Sequence, residues 1–127
     1  MTVRELDKSE WHPYFERMSK ALTGKRAEIE IASLSLGHQI EAEWLPLLGI
    51  TYDPKSDVLE VALDGLDHMI THPDQIYVDE TGLILTSLEI IGRDGVSQIV
   101  QLRDALALPA PSGALPTNSG VSRQPGG

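Results

Sequence analysis

From Lys25 to Arg103 the apolar residues recur with a period of two, in short segments separated by turn-forming residues, and this rhythm confines the chain to sheet architectures. Ala27, Ile29 and Ile31 alternate with Glu28 and Glu30. Ile40, Ala42 and Trp44 alternate with Gln39, Glu41 and Glu43, so each segment has one side for a core and one for water, and Trp44 falls in phase with the core side. The two segments are predicted to form a hairpin through Ser33 to Gly37. Leu48 to Tyr52 and Val58 to Leu63 form a second pair around Asp53-Pro54-Lys55-Ser56-Asp57, with Leu59, Val61 and Leu63 pointing inward. Gln75 to Asp79, Leu83 to Ile91 and Val96 to Arg103 complete the set. A three-residue loop, Arg93-Asp94-Gly95, with Gly95 left-handed sets Leu88 beside Val100 and Thr86 beside Leu102.

Ahead of the sheet the period is helical. Trp11, Phe15, Met18 and Leu22 are spaced by four, three and four, which places them on one face of a helix over 9–22. Ser9 is the expected N-cap and Gly24 the stop, with Pro13 tolerated near the first turn. Strands that follow one another through short turns, with no helix between them, pair antiparallel. The expected fold class is therefore α+β: an N-terminal helix packed on a strongly bent, mainly antiparallel sheet of about seven strands that curls toward a barrel. Residues 1–104 are expected to form one domain. From Ala105 the composition turns to Pro, Gly, Ser and Ala, which predicts a disordered tail over 105–127.

Composition restricts the chemistry. The chain of 127 residues carries a formal net charge of −9, with ten basic residues scattered among nineteen acids, which argues against a nucleic-acid partner. There is no cysteine, hence no disulfide, thiolate metal site or cysteine nucleophile. No apolar run approaches the roughly 18 residues of a membrane span, and Met1 to Trp11 lacks the apolar core of a signal peptide, so a cytoplasmic protein without membrane contact is expected. Ser56 to Gly92 contains no lysine or arginine, but holds Asp57, Glu60, Asp64, Asp67, Asp74, Asp79, Glu80 and Glu89 with His68 and His72. Such a stretch favours a metal cation or a basic partner over an anion.

The segments Trp44-Leu45-Pro46-Leu47-Leu48-Gly49-Ile50-Thr51-Tyr52-Asp53-Pro54, Gly65-Leu66-Asp67-His68 and His72-Pro73 to Ile76-Tyr77-Val78-Asp79 resemble a family of short bacterial proteins known only as a domain of unknown function. Trp11 to Leu22 and Gln98-Ile99-Val100-Gln101-Leu102 to Leu108-Pro109 are similar to it as well, so the resemblance covers roughly the first 109 positions. It implies a stand-alone bacterial soluble domain and supplies no reaction, ligand or catalytic residue.

Three sets of residues stand out as candidates for function. His68 and His72, if they share one helical turn, stand on one face at the spacing zinc sites use, with Asp67, Asp64 or Asp74 as a third ligand; no glutamate lies between them to act as a base. Glu28, Glu30, Glu41 and Glu43 share an outer face if the first two strands pair, and their repulsion calls for Arg26, Arg103, a divalent cation or a basic partner. Leu45, Pro46, Leu47 and Leu48 are apolar at both parities of a strand, more than one core face requires, and so mark an interface or ligand-binding surface. No Gly-x-Ser-x-Gly elbow, phosphate loop or marked nucleophile accompanies these sets. The expected function is that of a non-enzymatic binding module without a cofactor, acting through homo-oligomerisation and a protein or small-ligand partner. The alternative is a metal-dependent hydrolase or other metalloenzyme built on His68 and His72.

Overall fold

A computed structural model describes residues 2–35 and 37–104. The order is β1 (Thr2–Glu5), a single 3-10 turn (Lys8–Glu10), α1 (Trp11–Ala21), β2 (Lys25–Ser33), β3 (Gly37–Asp53), β4 (Val58–Leu63), β5 (Leu66–Thr71), β6 (Pro73–Thr81), β7 (Ile84–Gly92) and β8 (Ser97–Asp104). All eight strands belong to one antiparallel sheet in the order β1-β6-β7-β8-β2-β3-β4-β5. Among the described residues the architecture is mainly β with one short helix rather than α+β, it has eight strands rather than seven, and the sheet is not closed into a barrel. The expected tail over 105–127 lies outside the described residues.

The α-helix starts at Trp11, later in the chain than a cap at Ser9 would place it, and its own N-cap, Glu10, makes no side-chain capping bond. The preceding 3-10 turn is capped by Asp7: the Asp7 carboxylate accepts from the Ser9 N–H, and the Glu10 carboxylate accepts from the Asp7 N–H, forming a capping box. Trp11, Phe15 and Leu22 are buried and Met18 packs partly against the core, as the spacing requires; Tyr14 joins them. Trp11 meets Tyr52 edge to face at 5.1 Å and donates its indole N–H to the Leu6 carbonyl.

Two corners bend the sheet, one within β3 and one at His72 between β5 and β6. β3 is one strand of 17 residues where two were expected, pairing with β2 up to Pro46 and with β4 from Leu47. Three irregularities interrupt its alternation, at Glu41, Trp44 and Leu48. Between Ile29↔Ala42 and Ala27↔Leu45 the chain carries an extra residue, Trp44, at φ 52°, and between Leu47↔Leu63 and Gly49↔Ala62 it carries Leu48. Each extra residue reverses the phase, so Ala42, then Leu47, then Ile50 and Tyr52 all reach the core. Trp44 is consequently half-buried rather than in the core, and Ile40 is exposed opposite Glu30 after a further slip at Glu41.

Beyond Leu47 the edge that β2 leaves open is taken by α1. Ser19 Oγ donates to the Ile50 carbonyl (2.8 Å) and accepts from the Ile50 N–H (3.0 Å), and His12 Nδ1 donates to the Tyr52 carbonyl (3.0 Å). The helix thus satisfies backbone groups that a neighbouring strand would otherwise meet. The second corner is His72, between β5 and β6, at φ 53°. The bend is deep enough that His68 on terminal strand β5 bonds Gln98 on β8, four places away in the sheet order.

Period two holds in β4, β5 and β8, whereas in β6 and β7 the extra residues Asp74 and Thr86 shift the phase, so Leu85, Leu88 and Ile90 are the buried residues of β7 and the Thr86 hydroxyl donates to the Asp79 carbonyl. Leu59, Val61 and Leu63 are buried, Leu88 pairs with Val100, and Gly95 is left-handed at φ 83°.

Candidate functional site

His72 sits at a polar junction with Tyr52, Asp57 and Arg93. Its N–H donates to the Asp57 carbonyl (2.8 Å) and its carbonyl accepts from the Arg93 N–H (3.0 Å), which ties the β5–β6 corner to two hairpin turns. Its Nδ1 lies 3.2 Å from Asp57 Oδ2, which also receives Arg93 Nη2 at 3.4 Å. Asp57 Oδ1 accepts the Tyr52 hydroxyl at 2.7 Å. Asp57 is itself left-handed, at φ 57°, so two non-glycine residues in a sparsely populated backbone region hold each other. The hydrogen bond from Tyr52 and then the bond with His72 hold the Asp57 carboxyl below its ordinary pKa. Burial and the same carboxylate push the Tyr52 phenol up to about 12.

This junction is a corner device, and it separates the residues expected to bind metal. Leu66 to Thr71 is a strand, not a helical turn. His68 is directed inward with its neighbour Ile70, opposite Val61, and is used by Gln98, whereas His72 is used by Asp57. Asp67 lies on the outer side opposite Ala62; Asp64 is exposed in the β4–β5 turn, its N–H on the Pro46 carbonyl; Asp74 is exposed at the start of β6 beside a surface cleft with Asp7 and Lys8. Among the described residues no group of three or more His, Asp or Glu side chains is placed to hold a metal ion.

The apolar run is divided by the bulges. Leu47 is in the core, Leu45 and Pro46 are half-buried, and Leu48 is 66% exposed. Leu48 therefore stands on the outer side of β3–β5, a surface that also carries Gly49, Thr51, Glu60, Ala62, Asp67 and the half-exposed Met69. Glu60 and Asp67 are close enough there to share a proton; that hydrogen bond, followed by burial, raises the Glu60 carboxyl above its ordinary range.

The acidic strip is also redistributed. Glu28 and Glu30 do face outward, but the bulges leave Glu28 without a direct partner on β3 and put Ile40 opposite Glu30, while Glu41 and Glu43 are exposed. The close Glu–Glu pairing expected from a regular hairpin is absent, and His38 pairs with Glu30. The neighbours of Glu28 and Glu30 are instead across β8, β7 and β6: Glu28 lies in a row with Gln101, Ser87, Asp79 and Val3, and Glu30 in a row with Ile99, Glu89, Tyr77 and Glu5. One row further along, Arg26 lies directly opposite Arg103.

The two arginines do not reach the glutamates; they hold Trp44. The Arg103 guanidinium stacks on the Trp44 ring at 3.4 Å from its centre, and Arg26 Nη1 donates to the Trp44 carbonyl at 3.1 Å. Arg26 Nε and Asp79 Oδ1 are buried atoms without a hydrogen-bond partner, and both belong to this outer face. The cluster of Arg26, Arg103 and Trp44 was invisible in the sequence because a bulge leaves no mark in composition. The Tyr52–Asp57–His72–Arg93 junction had one signal, the aspartate closing the Asp53–Asp57 turn.

Fold and surface together define a small, mainly antiparallel sheet protein, covered on one side by a single helix and presenting on the other a broad charged face. The chain belongs to the family of unknown function DUF5335, which matches residues 2–111. An uncharacterized protein of Aquifex aeolicus (strain VF5) is 36% identical over 110 residues, covering 86% of this chain and 99% of that protein. No solved structure matches. No helix among the described residues is long and apolar enough to cross a membrane.

Proposed function

We propose that this protein is a non-enzymatic binding module that self-associates and recognises a partner through the outer face of β6, β7, β8 and β2. One observation carries this reading: among the described residues, the buried polar atoms left without partners are a cationic donor on Arg26 and an anionic acceptor on Asp79, and both lie on that one face. A buried polar group without a partner costs about 1–3 kcal/mol, so a molecule laid on the face that satisfies them is favoured beyond its contact area. The face is uncovered by α1, which packs against β3, and it mixes half-buried Tyr77, Ile91 and Ile99 with Glu28, Glu30 and Glu89, the composition of an interface with a polar rim. A cytoplasmic location accompanies this reading, as a cysteine-free chain suits a reducing compartment.

The test is sedimentation velocity of the full chain across a concentration series from about 1 to 200 μM, the range in which interfaces of modest affinity populate. A mass that rises to a defined oligomer supports the module. A monomer throughout, together with unchanged amide exchange on β6–β8 at every concentration, removes self-association from the account.

A further inference from the structure

We infer that the partner recognised by the outer face of β6, β7, β8 and β2 is a basic protein segment, which seats a lysine or arginine side chain in the groove between Asp79 and Glu89. The inference rests on the binding-module reading above and names the chemistry of that partner.

The register of the sheet collects carboxylates on this face. Two neighbouring rows cross five strands: Glu28, Gln101, Ser87, Asp79 and Val3 in one, Glu30, Ile99, Glu89, Tyr77 and Glu5 in the other. Half of these residues are acids and none is basic. Among the described residues the ion pairs made by arginine and lysine go to Glu10, Glu80, Asp104 and Asp57, so none neutralises Glu5, Glu28, Glu30, Asp79 or Glu89, and His38 pairs with Glu30. The arginines of the face, Arg26 and Arg103, stand one row beyond Glu28, and the Arg103 guanidinium is turned toward Trp44 on β3, away from β6 and β7. From the strand spacings Arg103 lies about 12 Å from Asp79 and about 14 Å from Glu89, beyond a Debye length at physiological salt. Their charge therefore offsets Glu28 and leaves the β6–β7 side of the face acidic.

A shallow groove of about 190 Å³ lies on that side, with Val3, Tyr77, Asp79, Ser87, Glu89 and Ile99 in its lining. Asp79 and Glu89 are diagonal neighbours across the β6–β7 ladder, about 7–8 Å apart, so one ammonium or guanidinium placed between them reaches both. Ser97 Oγ donates to Glu89 Oε2 at 2.6 Å and holds that carboxylate in place. Asp79 Oδ1 is buried without a hydrogen-bond donor, and a cation beside it offsets a charge that nothing in this chain compensates. Tyr77 and Ile99 are half-buried and Val3 is 66% exposed; they give the aliphatic stem of a long basic side chain an apolar wall while its head stays with the carboxylates. The acids extend across five strands, about 19 Å, more than one side chain covers, which fits a segment carrying several basic residues.

The probes are tetrapeptides of arginine, glutamine and glutamate, blocked at both ends and titrated into the nitrogen-15-labelled full chain at about 150 mM salt, with backbone amide shifts locating the contact. We expect tetra-arginine to move the amides of Ser87, Glu89 and Ile99, and the other two peptides to leave them in place. Asp79→Asn with Glu89→Gln should weaken tetra-arginine binding at least about tenfold. Glu16→Gln with Asp64→Asn removes the same charge from exposed positions off this face and should weaken it less than about threefold. Melting curves and far-ultraviolet circular dichroism establish that each variant is folded; should Asp79→Asn fail to fold, Glu89→Gln alone, expected to weaken binding at least about threefold, decides the matter. Equal losses in the two double variants, or shifts confined to other surfaces, reduce the binding to general attraction by an acidic chain and overturn the inference. If the wild type self-associates in sedimentation but tetra-arginine leaves this face unmoved, the partner is not basic, and the inference is overturned while the binding module stands. If the wild type is monomeric and none of the three peptides moves the face, both fall.

Discussion

Substituting Asp57 tests whether the junction at His72 holds the sheet's second corner. Three replacements separate its contributions. Asn keeps a short polar side chain that tolerates φ 57° and retains an oxygen for the Tyr52 hydroxyl, but loses the charge. The partners that need that charge are exposed, His72 at 55% and Arg93 at 67%, so each is worth at most about 1 kcal/mol and their joint loss about 1 kcal/mol. Gly adopts the same backbone conformation without strain but leaves the buried Tyr52 hydroxyl without its acceptor, which costs about 2 kcal/mol. Ala loses the acceptor and adds the left-handed penalty of about 1–2 kcal/mol, for a total near 3 kcal/mol. The expected order of destabilisation is therefore Asn, then Gly, then Ala.

Urea unfolding at pH 7 measures this order, and repeating it in acid supplies the sign. The Asp57 carboxyl has a lower pKa in the folded protein than in the unfolded chain, so the unfolded chain binds its proton first as the pH drops. Its stabilisation is present in full above the ordinary aspartate pKa and is lost as the pH falls through the lowered folded value. The difference between wild type and Asp57→Asn should shrink as the pH falls below the ordinary value of 3.8. A glycine variant as stable as the wild type, an alanine variant no worse than glycine, or a wild-type-to-Asn gap independent of pH would refute the assignment of this junction as a structural clamp.

Ser19→Ala should cost about 1–2 kcal/mol in urea unfolding, because the Ile50 N–H and C=O both lose their partner on α1, and amide exchange at Ile50 should accelerate selectively. Glu60→Gln should stabilise the protein at pH 7 by about 0.5 kcal/mol; the folded carboxyl has a raised pKa, so the wild type is disfavoured above it and recovers as the pH falls through it, and the gain should vanish in acid. An unchanged or lower melting temperature for Glu60→Gln at pH 7 would contradict the pairing with Asp67. With His68 and His72 on separate partners, zinc, calcium, magnesium or manganese should leave the melting temperature of chelator-treated protein unchanged; a rise abolished by His68→Ala with His72→Ala would overturn their placement as structural residues.

What could be read from the sequence, and what could not, separates along the course of β3. Val58 to Leu63 and Gln98 to Leu102 run without bulges, and their inward residues are those that strict alternation selects. In β3 the same rule fails three times, because extra residues at Glu41, Trp44 and Leu48 each exchange the inner and outer sides. An apolar residue at every position from Trp44 to Leu48 has two physical causes, a strand buried on both faces or a strand whose phase slips so that successive parities take turns in one core. Composition is the same in both cases, and the slip is decided by a tertiary requirement: one strand must leave β2 and join β4 around a corner. The spacing of His68 and His72 is ambiguous in a similar way. Four residues place two side chains on one side of either a helix or a strand, but about 5–6 Å apart in the first and about 13 Å apart in the second, and one metal ion can bridge only the shorter distance. Leu66, His68 and Ile70 pointing inward against Asp67, Met69 and Thr71 outward is the pattern that distinguishes them. That alternation was present in the sequence, weakened by a polar residue on the inner side and an apolar one on the outer. It is the pairing of His68 with Gln98 across the bent sheet that makes an inward histidine acceptable, and such a partner, thirty residues away, is supplied by the corner and not by any local pattern.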